Sequence, residues 1–307
     1  MTGRFAHLDK AELHVHLEGS MTPETLCEIN PALDLDGARA RYRFHGFPAF
    51  IEAFKWAVTH LNSPDDYALA LRRLLQRMAG ENIRYAEITL SAGVVLWRKQ
   101  DFAGIYDALV REAERSTVEI WWVLDAIRHF GAEDAMEVAR LAVDRAQDRV
   151  AGFGIGGDET RGPAEWFEEV FAFTQSAGLA LVPHAGETAG PESVWPVVRM
   201  GARRIGHGIR SIEDPALVRH LADHRIPLEI SLTSNAVTGA VPSLREHPAR
   251  RLYEAGVPIV LNTDDPGMFG VTLSGEMETA LELGFSEAEV REIAGNAFRY
   301  RLRNPRS

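Results

Sequence analysis

Short apolar runs alternate with amphipathic stretches along most of this 307-residue chain. Apolar runs at Lys10–His16, Ile83–Leu90, Val118–Asp125, Val150–Ile155, Ala180–His184, Arg203–Gly206, Pro227–Ser231 and Pro258–Thr263 predict eight strands. Between most of them, apolar residues recur near every 3.6 positions, the spacing of one helix face. This predicts helices at Phe102–Arg115, Ala132–Gln147, Pro163–Ala177, Glu192–Arg199, Asp214–Asp223 and Leu244–Ala255. Asp214-Pro215 is a start signal, a capping carboxylate before a first-turn proline, and Gly178 and Gly256 follow two helices as stops.

Eight strand–helix units in a chain of this length predict an α/β fold, a closed (β/α)8 TIM barrel in one domain over residues 1–307. The strands are apolar on both faces, as buried parallel strands should be. The gap from Gly19 to Asn82 is too long for a simple crossover and holds at least three helical patterns. It reads as a helical insertion after the first strand, over about residues 20–81. Its stretch Tyr42–Leu61 carries Phe44, Phe47, Phe50, Phe54 and Trp56, and reads equally as a lid or as an extra packing layer.

Composition narrows the function classes. A formal net charge of −11 argues against a phosphate-backbone binder, so no nucleic-acid partner is expected. Cys27 is the single cysteine, which leaves no intramolecular disulfide and excludes zinc-deaminase designs that need a Pro-Cys-x-x-Cys ligand pair. The first seven residues lack the apolar core of a signal peptide, and no apolar run approaches a membrane span. A cytoplasmic protein with no membrane partner is therefore expected.

The chemistry gathers at strand ends. His14 and His16 lie one residue apart on the first strand, so their imidazoles share a face while Leu13, Val15 and Leu17 take the other. His184 ends the fifth strand with Glu187 three residues on, His207 follows the sixth between two glycines, and Asp264-Asp265 end the eighth. Alone, each has a bland explanation: a packed histidine, a turn carboxylate, a helix cap. Together they fall on the C-terminal rim where such barrels do their chemistry. His14, His16, His184 and Asp264 are the candidate ligands of one Zn2+ per chain, with imidazole and carboxylate suiting that ion. Glu187, His207 and Asp265 remain for proton transfer, His207 either orienting the water or taking its proton.

These stretches resemble the adenosine deaminase family of the amidohydrolase superfamily. The resemblance rests on Glu12–Gly19, Gly156-Gly157-Asp158-Glu159, His184-Ala185-Gly186-Glu187, Gly206-His207-Gly208, Ser234-Asn235 and Asn262–Pro266, in the family's order. It implies a zinc-dependent hydrolytic deaminase acting on a small-molecule purine nucleoside. Hydroxide would attack C6, Glu187 would protonate N1, and His207 and Asp265 would handle the water. Asp265 would also contact N7, and the Gly157 N–H would meet N3. Glu18 replaces the aspartate that contacts the ribose near its 5′ end in well-known members, which bears on recognition of a free 5′-hydroxyl. The run His184–Trp195 and Asp265–Gly270 resemble the bacterial branch acting on aminodeoxyfutalosine, an adenosine modified at its 5′ carbon, in menaquinone synthesis. Expected substrates are therefore aminodeoxyfutalosine, then adenosine, with adenine or another mononuclear-zinc amidohydrolase reaction as alternatives.

Overall fold

The computed structural model describes residues 3–302; residues 1–2 and 303–307 of the expected domain lie outside the described residues. The strands are β1 (Lys10–His16), β2 (Ile83–Leu90), β3 (Glu119–Ile127), β4 (Val150–Gly156), β5 (Ala180–Leu181), β6 (His184–Ala185), β7 (Ile205–His207), β8 (Leu228–Ile230) and β9 (Ile259–Leu261). Neighbours run parallel in the orders β1-β2-β3-β4-β5 and β6-β7-β8-β9.

The expected fifth strand is thus two pieces. Pro183 has no N–H to give to a ladder, so β5 and β6 separate there. The chain nevertheless stays in line: the Val182 N–H donates to the Phe153 carbonyl at 3.0 Å and the Pro183 carbonyl accepts from Gly206 at 2.9 Å. At the other seam Val15 bridges Asp264 in parallel. There the His16 N–H reaches the Asp264 carbonyl at 2.8 Å, and the Asp264 N–H reaches the His14 carbonyl at 3.1 Å. Asn262 Oδ1 adds bonds from the N–H groups of Leu13 and His14 at 2.8 and 3.1 Å. The α/β architecture is the expected one, with parallel strands in barrel order and helices outside them.

Two predicted helices are shorter than the periodicity suggests. Pro248 splits Leu244–Ala255 into a 3-10 turn, Leu244–Glu246, and a helix, Ala249–Glu254. The helix sought from Pro163 begins as a 3-10 turn, Ala164–Phe167, and becomes α-helical over Glu168–Ser176. Beyond the short helix Pro266–Phe269, two further helices, Leu273–Glu282 and Glu287–Tyr300, follow β9. The second starts in a Ser286/Glu289 capping box and packs back on β1 and β9 outside their seam.

The insertion holds four helices: Pro23–Ile29, Leu35–Arg41, Phe47–Val58 and Pro64–Gly80. Phe44, Phe47, Phe50 and Phe54 cluster with Met268 and Phe269, three and four residues after Asp265 in the chain, while Trp56 packs on the main core. No helix among the described residues is long and apolar enough to cross a membrane.

Candidate active site

The ladder places the predicted residues on one rim. His14 and His16 close β1, His184 opens β6, His207 closes β7, and Asp264 and Asp265 follow β9. Five of the six are buried, as is Glu187, and His184 is half-buried. His207 and Asp264 have φ of +60° and +64°, left-handed values that cost a non-glycine residue about 1–3 kcal/mol. Two glycines make room for the cluster. A Cβ on Gly206 would come within 2.9 Å of His14 Cε1, and one on Gly19 within 1.6 Å of Asp265 Oδ1.

The candidate ligand atoms face one another. His16 Nε2 lies 3.1 Å from His184 Nε2, His14 Nε2 lies 3.3 Å from Asp264 Oδ1, and His16 Nε2 lies 3.4 Å from the same oxygen. Zinc bonds of about 2.0–2.1 Å in tetrahedral geometry put ligand atoms about 3.3 Å apart. The spacing therefore fits a small divalent ion at their centre. The electron count points the same way. His14 Nδ1 meets Glu229 Oε2 at 2.8 Å, where only an N–H can bond, so the neutral ring carries its lone pair on Nε2, toward Asp264. Burial lowers the His14 pKa, but the Asp264 and Glu229 carboxylates outweigh it and raise the value well above the ordinary one, so a proton and a cation compete for that nitrogen. That Nε2 is buried without a hydrogen-bond partner. Burial holds the His16 pKa down to about 4 and that of His184 well below the usual range, so both imidazoles are neutral ligands.

His207 belongs to the same knot: one ligand atom each from His14, His184, His207 and Asp264 lie within 4.8 Å of one another. Its Nε2, however, sits to one side, 3.6 Å from Glu187 Oε2 and 3.9 Å from Asp264 Oδ2. Asp264 Oδ2 is already engaged by the Ser234 hydroxyl at 2.6 Å, which leaves Oδ1 for the ligand cluster.

Acid–base character is divided sharply. Burial raises the Asp264 pKa, but the imidazoles of His14, His207 and His16 beside it outweigh burial and hold it well below the carboxylate range. Its neighbour Asp265 is pushed well above that range by burial and by the Asp264 charge, and its Oδ1 is buried without a partner. Glu187 is likewise raised well above its ordinary value by burial, then by the charges of Asp264 and Glu159. A carboxyl shifted toward its protonated form suits a general acid. Glu159 fixes the loop carrying it: Oε1 accepts from the Glu187 and Thr188 N–H groups at 2.9 and 2.8 Å, and Oε2 from the Gly186 N–H at 2.7 Å.

A cavity of about 490 Å³ opens from these groups, with Gly157, His184, Glu187 and Asp265 at its base. Phe47, Phe50, Ile51 and Phe54 wall its outer part, so the aromatic insertion helix lies over the site. Glu18 sits behind this wall. Its Oε1 accepts from the N–H of the cavity residue Ser91 at 3.0 Å, its Oε2 is buried without a partner, and burial raises its pKa to about 7.

Several positioning groups escaped the sequence reading. Glu229, in Leu228-Glu229-Ile230, orients His14 and is itself held by Arg204 at 2.5 Å. Arg204 also bonds Glu87. Their signal was a glutamate inside an apolar strand, a burial that demands a partner.

Comparison with known proteins gives the following. The adenosine deaminase family model matches residues 9–302. An aminodeoxyfutalosine deaminase of Streptomyces coelicolor is 38% identical, over 95% of this chain and 79% of that protein. An adenine deaminase of Rhizobium leguminosarum bv. trifolii is 35% identical, over 95% and 94% respectively. Among solved structures, an adenine deaminase from Arthrobacter aurescens superposes with a TM-score of 0.88 at 28% identity, over 95% of this chain and 93% of that one.

Proposed function

The chain belongs to the adenosine deaminase family and is a hydrolytic deaminase, and from that premise we propose that it is a zinc enzyme converting the 6-amino group of a 5′-modified adenine nucleoside to a 6-oxopurine. Aminodeoxyfutalosine is the preferred substrate, ahead of adenosine. His14, His16, His184 and Asp264 hold the zinc, whose contribution is to make hydroxide available near neutral pH.

The chain's own residues supply the rest. Glu187, whose burial favours the protonated carboxyl, gives its proton to N1 of the ring, so that negative charge does not accumulate as C6 is attacked. Asp265, with its free buried oxygen, holds the water by a hydrogen bond and meets N7. The Gly157 N–H meets N3, and His207 orients the water. Asp265 passes the water's proton on to the amino group, ammonia leaves the tetrahedral C6, and the C6 hydroxyl proton returns to Glu187 as the 6-oxo group forms.

The cavity's outer half is the observation that carries the substrate choice. A free base would leave it empty. Its walls are apolar and aromatic, with Trp97 stacked on Phe130 at 5.7 Å between ring centroids. The cations Lys55 and Arg161 stand at its rim, and among the described residues Arg161 pairs with no carboxylate. Such a wall and rim suit a bulky 5′ substituent with an apolar ring and an anionic end. Glu18, behind Ser91, sets the depth of the wall where a free 5′-hydroxyl would be read.

The test is kcat/KM for aminodeoxyfutalosine, adenosine and adenine, followed by loss of the adenine absorbance band with zinc-loaded protein. A preference of at least about tenfold for the 5′-modified nucleoside is expected. A preference for adenosine or adenine overturns the substrate assignment and leaves the reaction class standing.

A further inference from the structure

Behind His207 runs a hydrogen-bonded chain of two buried side chains that the chemistry above does not use. The Ala249 N–H meets His247 Nδ1 at 3.1 Å, His247 Nε2 meets Asn235 Oδ1 at 3.1 Å, and Asn235 Nδ2 meets His207 Nδ1 at 3.0 Å. Asn235 and His247 are buried.

Neither an imidazole nor an amide has a polarity of its own, since either ring nitrogen can carry the proton and the amide can be turned over. The first link removes that freedom. A backbone N–H can only donate, so His247 Nδ1 accepts and its proton must sit on Nε2. That N–H then requires an oxygen from Asn235, which turns the Asn235 NH2 toward His207. His207 Nδ1 must accept in turn, and its proton lies on Nε2, facing Glu187 and Asp264.

We infer that Ala249, His247 and Asn235 form a polarity relay that locks His207 as the Nε2–H tautomer, so that His207 donates to the oxygen of the reacting water and does not accept its proton. His247 and Asn235 are positioning residues, acting through His207. The relay also distinguishes His207 from the ligand histidines: an Nε2 that bears hydrogen offers no lone pair to a cation, whereas Glu229 leaves the His14 Nε2 bare. Its catalytic consequence rests on the deaminase reading above; the tautomer does not.

Asn235→Asp tests this with almost no change of shape. A carboxylate accepts on both sides, so the His247 N–H is still satisfied, but His207 must now donate from Nδ1 and present a lone pair to the site. The readout is the 15N spectrum of histidine-labelled protein, zinc-loaded and metal-free, with His207 identified by loss of its signals in His207→Asn. The expected wild-type signature is protonation on Nε2. Asn235→Asp should move it to Nδ1 and lower kcat by about 100-fold, the usual scale for losing an oriented donor, with KM within about threefold and zinc content unchanged. His247→Gln retains a donor toward Asn235 and should keep the Nε2–H signature, with kcat within about fivefold. Protonation of wild-type His207 on Nδ1 overturns the proposal, as does a folded Asn235→Asp with wild-type kcat. Should that variant fail to fold, the wild-type and His247→Gln spectra decide. Absence of turnover on every adenine compound with the Nε2–H signature present would defeat the deaminase reading and not the relay.

Discussion

Glu159→Gln isolates the hinge between fold and chemistry, because the change is isosteric and leaves every proposed metal and acid–base residue in place. The native carboxylate accepts at Oε1 from the N–H groups of Glu187 and Thr188 and, at 3.3 Å, from the Thr188 hydroxyl, and at Oε2 from the Gly186 N–H. A glutamine has one acceptor oxygen. If it takes the Oε1 position, the amide NH2 faces the Gly186 N–H, donor against donor. One charge-assisted bond worth about 1.5–3 kcal/mol is lost, and the others weaken to neutral ones. Relief of burying the charge offsets part of this, for a net cost of about 3 kcal/mol. With an unfolding entropy of about 2.1 cal/mol/K per residue, the 307 residues translate that into a fall in Tm of about 5 °C.

The catalytic effect follows from the same bonds. They fix the backbone from Gly186 to Thr188, so their loss lets the Glu187 carboxyl drift from N1, and a 1 Å misplacement costs about 100-fold. A kcat reduction of 10- to 100-fold with unaltered zinc content is expected, measured by the absorbance assay and by metal analysis. The stability term has a definite pH dependence. Burial works to raise the Glu159 pKa, but the Ser193 hydroxyl, the Arg128 charge and the backbone N–H groups outweigh it, and the folded value is depressed. A depressed folded pKa contributes stability that is complete above the unfolded value near 4.5 and disappears as pH falls through the folded one. The Tm gap between wild type and Glu159→Gln should therefore be full at pH 7 and shrink below about pH 4. A variant with wild-type kcat and a Tm within 1 °C would refute this account of the loop.

Glu187→Gln should keep zinc and Tm while lowering kcat at least about 100-fold, since an amide cannot give up the proton needed at N1; retained turnover would remove Glu187 from that role. Chelation should abolish activity and lower Tm, with both restored by one equivalent of zinc, because without a cation the lone pairs of His14, His16 and His184 and the Asp264 carboxylate oppose one another. Arg161→Ala should raise KM about tenfold for a nucleoside with an anionic 5′ substituent and leave adenosine unaffected, as loss of a charge-assisted contact predicts. An equal effect on both would place Arg161 outside the substrate's reach. Glu18→Asp opens space behind Ser91 and should shift the preference among 5′ variants of adenosine at constant kcat; an unchanged preference would mean that Glu18 does not shape that end of the cavity.

The barrel was legible because its strand signals are local: apolar runs of a few residues, with helix-spaced patterns between them. The histidine–aspartate cluster was legible because parallel strands put the residues after each strand on one rim, so His14, His184 and Asp264 meet though far apart in sequence. What stayed hidden depends on pairwise geometry. Pro183 breaks a strand whose apolar character gives no warning, since the residues on either side of it are themselves strand-like. The helices after β9 have no following strand, so strand–helix alternation carries no signal for them. His247 precedes a proline in an unremarkable loop, and only its bonds to Ala249 and Asn235 reveal a function.

A second buried chain answers a question the ligand set alone raises: why His14 should keep one orientation in the middle of a barrel. His14 donates to Glu229, Glu229 accepts from Arg204, and Arg204 bonds Glu87, all four buried. Arg204 also donates to the Tyr300 carbonyl at 2.8 Å, and Glu87 accepts from the Leu302 N–H at 2.5 Å. Replacing such a buried ion cluster by apolar side chains of equal volume is often neutral or stabilising, whereas removing one partner costs about 3–5 kcal/mol. Stability is thus a weak reason for its presence. Orientation is a stronger one, because one end of the chain sets the tautomer of a proposed metal ligand. The other end is tied to the backbone that follows the last helix, so the order of that segment and the direction of the His14 lone pair depend on the same two glutamates.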